Sequence, residues 1–194
     1  MIYREIARLH IECIEDGFLP TLGETFLALI YEAIDVDPSS ALIVESKNGK
    51  VIGFIAGGSG MRSIYYQMLK RWPLLFYSLV PSLLNPYKLK KIFEIILNNS
   101  GNCSKLSENN NELFSISVAQ EFRGRGVAES LYKKLCLWFV SNGKNSFKIV
   151  VGQNLNRAHA FYLKMGANPV GKITIHEGEI STLYLHDLNN HKIS

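Results

Sequence analysis

Val118-Ala119-Gln120-Glu121-Phe122-Arg123-Gly124-Arg125-Gly126-Val127-Ala128 decides how the rest of this chain is read. Leu113-Phe114-Ser115-Ile116-Ser117-Val118 reads as a strand leading into it. Gly126 to Val140 follows as a helix, with Leu131, Leu135, Trp138 and Phe139 at helical spacing. A strand therefore runs into a glycine turn that opens a helix. Glycine lets the backbone approach a ligand with no Cβ in the way. The helix start offers free N–H groups and the positive end of a dipole. Arg123 and Arg125 add charge, so the turn has the makings of a pyrophosphate cradle. A dinucleotide fingerprint needs a third glycine where Glu129 stands, and a Walker loop needs Gly-Lys-Ser/Thr, which is absent. The plainer alternative is a tight strand–helix turn that binds nothing.

Outward from the turn the chain alternates. Phe147 to Val151 reads as a strand, Asn156 to Met165 as a helix stopped by Gly166, and Val170 to Ile175 and Ser181 to His186 as two closing strands. Towards the N-terminus, Ala41–Glu45 and Val51–Gly57 flank Asn48-Gly49, a strong hairpin signal. Ile6, Leu9, His10 and Cys13 give Tyr3 to Ile14 one apolar helical face. Asp16-Gly17-Phe18-Leu19-Pro20 reads as a loop, and Thr21 or Gly23 opens a second helix to Ala33. The fold class is a mixed α/β sheet.

Composition narrows the setting. The 194 residues are 47% hydrophobic and 20% charged, enough for one sizeable core and against disorder. Cys13, Cys103 and Cys136 are odd in number and form no C-x-x-C, which argues against a disulfide framework or a cysteine zinc site; no metal is expected. Charges stand at the N-terminus where a signal peptide needs an apolar core, so a cytoplasmic location is expected. The longest uncharged run, Trp72 to Tyr87, is broken by three prolines and too short for an ordinary membrane span. Residues 1–58 carry a net −5, residues 59–111 a net +5 and residues 112–194 a net +4. That favours an anionic ligand but falls short of a nucleic-acid binder's basic stripe.

Arg123-Gly124-Arg125-Gly126-Val127-Ala128 resembles the Q/R-x-x-G-x-G/A motif of the GNAT superfamily, the Gcn5-related N-acetyltransferases. Ala158-His159-Ala160-Phe161-Tyr162-Leu163-Lys164-Met165-Gly166-Ala167 is similar to a second family segment, A-x-x-F/L-Y-x-k-x-G-F, with Ala167 in place of the usual aromatic. Two motifs in the right order, with a strand between, are far more specific than one. The resemblance implies a GNAT-like, mostly antiparallel sheet flanked by helices, in a single acetyltransferase domain over residues 1–194. It implies N-acetyl transfer from acetyl-coenzyme A, as cosubstrate, to a primary amine attacking directly in a ternary complex.

By the same resemblance, the backbone N–H groups of Arg123, Gly124, Arg125, Gly126, Val127 and Ala128 hold the pyrophosphate. The pantetheine arm runs along Ile116, Ser117 and Val118, with the Val118 N–H polarising the thioester carbonyl. Asn154 or Asn156 takes the place of a cofactor-contacting asparagine, because Leu155 stands at the usual position. Tyr162 is the implied general acid, against the alternative of a core tyrosine. Glu112 is the implied base, against the alternative of a solvated strand-start carboxylate. It lies six residues before Val118, on the same face if the strand is regular. His159 reads as an exposed helix histidine rather than a site residue.

Two departures from the family pattern stand out. The chain starts almost directly in a helix, where the family has a strand. Residues 59–111 form a long insertion between the family's third and fourth strands, with a helix expected at Leu89–Leu97, beside Lys88, Lys90, Lys91 and Glu94, and a polar loop over 98–111. A lid over the acceptor pocket is the first reading of the insertion, a homodimer contact the second and a membrane-surface patch the third. The expected acceptor is a small amine such as an amino sugar, with Asp16 or Glu24 holding its ammonium group. A protein or peptide acceptor is the enzymatic alternative. A non-catalytic acyl-CoA-binding domain, or one that interacts with a membrane or a partner, is the alternative of another class, with membrane association ranked below the enzyme reading.

Overall fold

The computed structural model describes residues 2–14, 18–83, 110–174 and 180–189. Helices α1 (Ile2–Cys13) and α2 (Glu24–Val36) come first, then strands β1 (Ser40–Lys47) and β2 (Lys50–Gly58). Helices α3 (Arg62–Lys70) and α4 (Trp72–Leu83) follow, then β3 (Glu112–Val118), α5 (Val127–Ser141), β4 (Ser146–Gly152), α6 (Asn156–Lys164), β5 (Asn168–Thr174) and β6 (Ile180–Asp187). The six strands form one sheet in the order β1-β2-β3-β4-β6-β5. Every neighbouring pair is antiparallel except β3 and β4.

The local chemistry explains the elements. Asn48 and Gly49 both take positive φ, at 52° and 75°, which is the backbone a two-residue hairpin turn needs. Leu19–Leu22 coil into a single 3-10 turn, and Gly23 then opens α2. Among the described residues no strand precedes α1, which begins at Ile2, so the insertion lies between β2 and β3 of this chain. The helix expected at 89–97 and nearly all of the polar loop after it lie outside the described residues.

The sheet separates two cores. On one side Ile6, Leu9, Leu27, Ile30, Tyr31 and Ile34 of α1 and α2, with Ile64 and Met68 of α3, pack on Phe54 and Ala56 of β2. On the other, Leu131, Tyr132, Leu135 and Phe139 of α5 pack with Tyr162 of α6, on Ile55, Leu113, Val118, Phe147, Ile149 and Val151. Each fully buried side chain of this size contributes about 1.5–3 kcal/mol by leaving water.

One irregularity matters for the site. Ala56 pairs with Ser115 but Gly57 pairs with Leu113, so Phe114 is the extra residue of a β-bulge. Leu113 joins the α5 core while Phe114 packs on the α1–α2 core. The strand is therefore not regular, and the bulge turns Glu112 away from the face that carries Val118. That corrects the geometric premise of the expectation for Glu112.

Candidate active site

β3 and β4 pair only at Glu112–Lys148 and Leu113–Ile149, although each strand has seven residues. Beyond Leu113 the β4-side edge of β3 is open. The hydrogen-bond parity of β3 decides what lines that edge. The Ala119 N–H donates to the Ile52 carbonyl at 2.9 Å, which makes Ala119–Ile52 a hydrogen-bonded pair. Opposed residues alternate along an antiparallel ladder. Val118–Gly53 and Ile116–Ile55 are therefore the non-bonded pairs. The N–H and C=O groups of Val118 and Ile116 point away from β2, into the opening. Ser117 turns its backbone to β2, and its buried hydroxyl has no partner among the described residues. An unsatisfied buried hydroxyl of this kind costs about 1–3 kcal/mol, a penalty that a bound polar group relieves.

The open edge runs directly into the glycine turn. Gly124 and Gly126 have φ of +72° and +80°, and a Cβ on either would meet no atom of the protein within 4 Å. Glycine is required there by backbone conformation, and the space in front is free. The first intrahelical bond of α5 is Ser130 N–H to the Gly126 carbonyl. The amides of Gly124, Arg125, Gly126, Val127 and Ala128 have no partner among the described residues. Five unpaired N–H groups at a helix start suit a diphosphate. Arg123 departs from the expectation, because its own N–H is taken by the Gln120 carbonyl at 3.3 Å. Its guanidinium Nε donates to the Val118 carbonyl at 3.0 Å, bracing the end of β3. The Arg125 guanidinium lies over the Phe122 ring, 5.6 Å from its centroid.

Tyr162 is buried in the cluster that holds Val118, Leu131, Tyr132 and Val151. Its hydroxyl makes no hydrogen bond among the described residues, and burial pushes its phenol well above the ordinary value. Glu112 faces Lys148 across the first β3–β4 rung, 3.4 Å away. Burial raises the Glu112 carboxyl, and the lysine only partly offsets it. Asn154 is exposed in the turn between β4 and α6, and Asn156 is exposed as the first residue of α6. The Glu24 carboxylate pairs with Arg8 at 2.9 Å, which lowers its pKa. Asp16 lies outside the described residues.

His159 corrects its expectation. It is half-buried, with Nδ1 2.8 Å from the Tyr184 hydroxyl and Nε2 3.1 Å from the Gly152 carbonyl, so it ties α6 to β6 and to the end of β4. The sequence reading also missed a polar group on the α1 side. His10 Nδ1 lies 2.5 Å from the Tyr31 hydroxyl, and burial lowers the imidazole to about 4, which keeps it neutral. One helical turn further on, the Cys13 thiol reaches the Val118 carbonyl at 3.5 Å. The shared apolar face of His10 and Cys13 was legible, but nothing local showed that it covers the end of β3.

A family profile described as the Acetyltransferase (GNAT) family matches residues 3–167. Comparison with curated protein sequences finds no match. Among solved structures, the ribosomal-protein-S18-alanine N-acetyltransferase of Escherichia coli is similar at 13% identity and a TM-score of 0.54, over 95% of this chain and 87% of that one. An aminoglycoside 6'-N-acetyltransferase complexed with coenzyme A is similar at 11% identity and a TM-score of 0.57, over 96% and 90%. A further acetyltransferase reaches 18% identity and a TM-score of 0.60, over 96% and 94%. At such identities the likeness is one of fold.

Proposed function

The chain belongs to the GNAT acetyltransferase family, and from that premise we propose that it moves the acetyl group of acetyl-coenzyme A to a primary amine of a small molecule. The observation that carries this reading is the continuity of donors from Ile116 and Val118, at the open edge of β3, to the five unpaired amides of Gly124–Ala128.

The cosubstrate's pyrophosphate sits on those five amides, and its pantetheine arm adds to the edge of β3 as an extra half-strand. Asn154, in the turn before α6, or Asn156, at the start of α6, contacts the arm. The Val118 N–H donates to the thioester oxygen. A fixed donor aimed at an oxygen that gains charge is worth about 3–4 kcal/mol in the transition state. The amine nitrogen attacks the carbonyl carbon, the C–N bond forms and the C–S bond breaks. The Tyr162 hydroxyl gives a hydrogen bond to the departing sulfur, and the thiolate takes its proton from water. The proton lost by the amine passes through water to Glu112, whose raised pKa makes it a better base than a solvated carboxylate. Net positive charge over residues 59–111 and 112–194 supports an acceptor bearing phosphate, such as a nucleotide-linked amino sugar.

The test is thermal unfolding with acetyl-CoA and CoA, with ATP and NAD as controls, followed by thiol release with amino sugars and with peptides. A ligand at about 100 times its Kd raises the midpoint of a domain this size by roughly 5–10 °C. A rise with the CoA compounds alone, and thiol release with amino sugars, is the expected result. No rise at millimolar CoA overturns the cofactor site. Release with peptides but not amino sugars overturns the small-molecule acceptor.

A further inference from the structure

We propose that α4, with the outer edge of α3, docks this protein on an anionic membrane surface. The twelve residues of α4, Trp72-Pro-Leu-Leu-Phe-Tyr-Ser-Leu-Val-Pro-Ser-Leu83, contain no charge. Its inner positions Leu75 and Leu79 pack on the α1–α2 core beside Phe18, Leu19 and Leu22. Its opposite stripe is as apolar as its core stripe, yet it faces solvent. Trp72 is 68% exposed, Phe76 60% and Tyr77 70%, and Val80 extends the row at helical spacing. Tyr66 of α3 adds a fourth ring at 63% exposure. Four rings of about 200 Å² each, two-thirds exposed, make roughly 500 Å² of aromatic surface, at the top of the range for the largest patch on a monomer.

Charge selects the occupant. Residues 59–83 hold Arg62, Lys70 and Arg71 and no Asp or Glu. Arg62 and Lys70 stand on the same outer stripe of α3 as Tyr66, and the Lys70 ammonium lies 5.0 Å from the Tyr66 ring centroid. Arg71 pairs with Glu32 at 2.9 Å and remains half exposed. A second copy of the chain would meet this face through an isologous contact. That brings the cations of one copy against those of the other; residues 59–83 hold no acid to pair with them, and Glu32 is already taken by Arg71. An anionic lipid surface supplies the missing negative charge and accepts the rings at headgroup depth, where Trp and Tyr are favoured. Helix length agrees. At 1.5 Å per residue α4 is about 18 Å long, too short for a hydrocarbon core of about 30 Å and suited to lying in the interface. Among the described residues no helix is long and apolar enough to cross a membrane. The sequence reading placed the membrane third among the roles of the insertion, and the exposure of this face supports it.

Flotation of the full chain with vesicles of pure phosphatidylcholine, and of equal parts phosphatidylcholine and phosphatidylglycerol, tests the proposal. Binding to the anionic vesicles is expected, weakened by high salt, with Trp72 emission shifting to the blue. Phe76→Ser with Tyr77→Ser should abolish flotation while thermal unfolding stays cooperative. Arg62→Glu with Lys70→Glu, which leaves the apolar stripe intact, should weaken binding by about tenfold or more. No flotation with anionic vesicles overturns the proposal. So does a dimer in solution that Phe76→Ser with Tyr77→Ser converts to monomer, because the face then belongs to a second copy. Acetyl transfer is followed separately by thiol release, so failure of vesicle binding and failure of the transferase reading are distinguishable.

Discussion

Burial keeps the Tyr162 proton on its oxygen throughout the neutral range. The same burial makes the phenol a weak acid beside a thiol, whose pKa is ordinarily about 8.5. Complete transfer from Tyr162 would leave a phenolate among apolar neighbours, so its contribution lies mainly in the hydrogen bond it gives to sulfur as the C–S bond breaks. General acids contribute about 10²–10⁴-fold, and this one belongs at or below the lower end. Tyr162→Phe should lower kcat by about 10- to 100-fold, with the Kd for CoA changed by less than about threefold. Steady-state kinetics beside calorimetric CoA binding separates the two effects; an unchanged kcat rules out the acid role. Tyr162 was legible because its motif is local. The Cys13 contact with Val118 and the His10–Tyr31 pair were not, because their partners lie 105 and 21 residues away and a helical stripe does not say which strand it covers.

At the scale of elements, the strand–turn–helix unit from β3 to α5 carries the proposed cofactor site. Its strand and helix were legible from periodicity and its glycines from turn chemistry. The bulge was not, although the adjacent apolar pair Leu113-Phe114, one side chain to each core, is its trace. Two glycines with the same backbone demand separate binding from folding. Gly126, before α5, and Gly143, after it, have φ of +80° and +69°, and a Cβ on either meets no protein atom within 4 Å. An alanine at either position bears the left-handed penalty of about 1–2 kcal/mol. On the proposed reading, only at Gly126 does the added methyl stand in the space the pyrophosphate occupies. Gly126→Ala and Gly143→Ala should therefore lose similar stability in urea, while only Gly126→Ala weakens CoA binding beyond that, by about tenfold or more. Equal CoA affinity in the two variants would make the turn a structural joint and nothing more.

At the scale of the whole molecule, the sheet is two ladders joined at a short seam. β1–β3 and β4–β6 are each paired along most of their lengths, but β3 and β4 share only two register positions. The seam was not legible, since strand order and pairing length depend on how two cores fill either side of the sheet. On the proposed reading, its consequence is that the cosubstrate completes the sheet as well as reacting in it. In that reading, an arm lying in the opening accepts from the amides of Ile116 and Val118, which point away from β2. The Ser117 amide already bonds to β2 and serves as the internal control. Amide exchange followed by NMR should therefore slow at Ile116 and Val118 by about tenfold or more at saturating CoA, since exchange there needs the ligand to leave or the edge to open. Exchange at Ser117 should change only as much as the stability of the whole domain does. Uniform slowing across all three would mean that the ligand stabilises the fold from elsewhere, and the open edge of β3 would no longer be its seat.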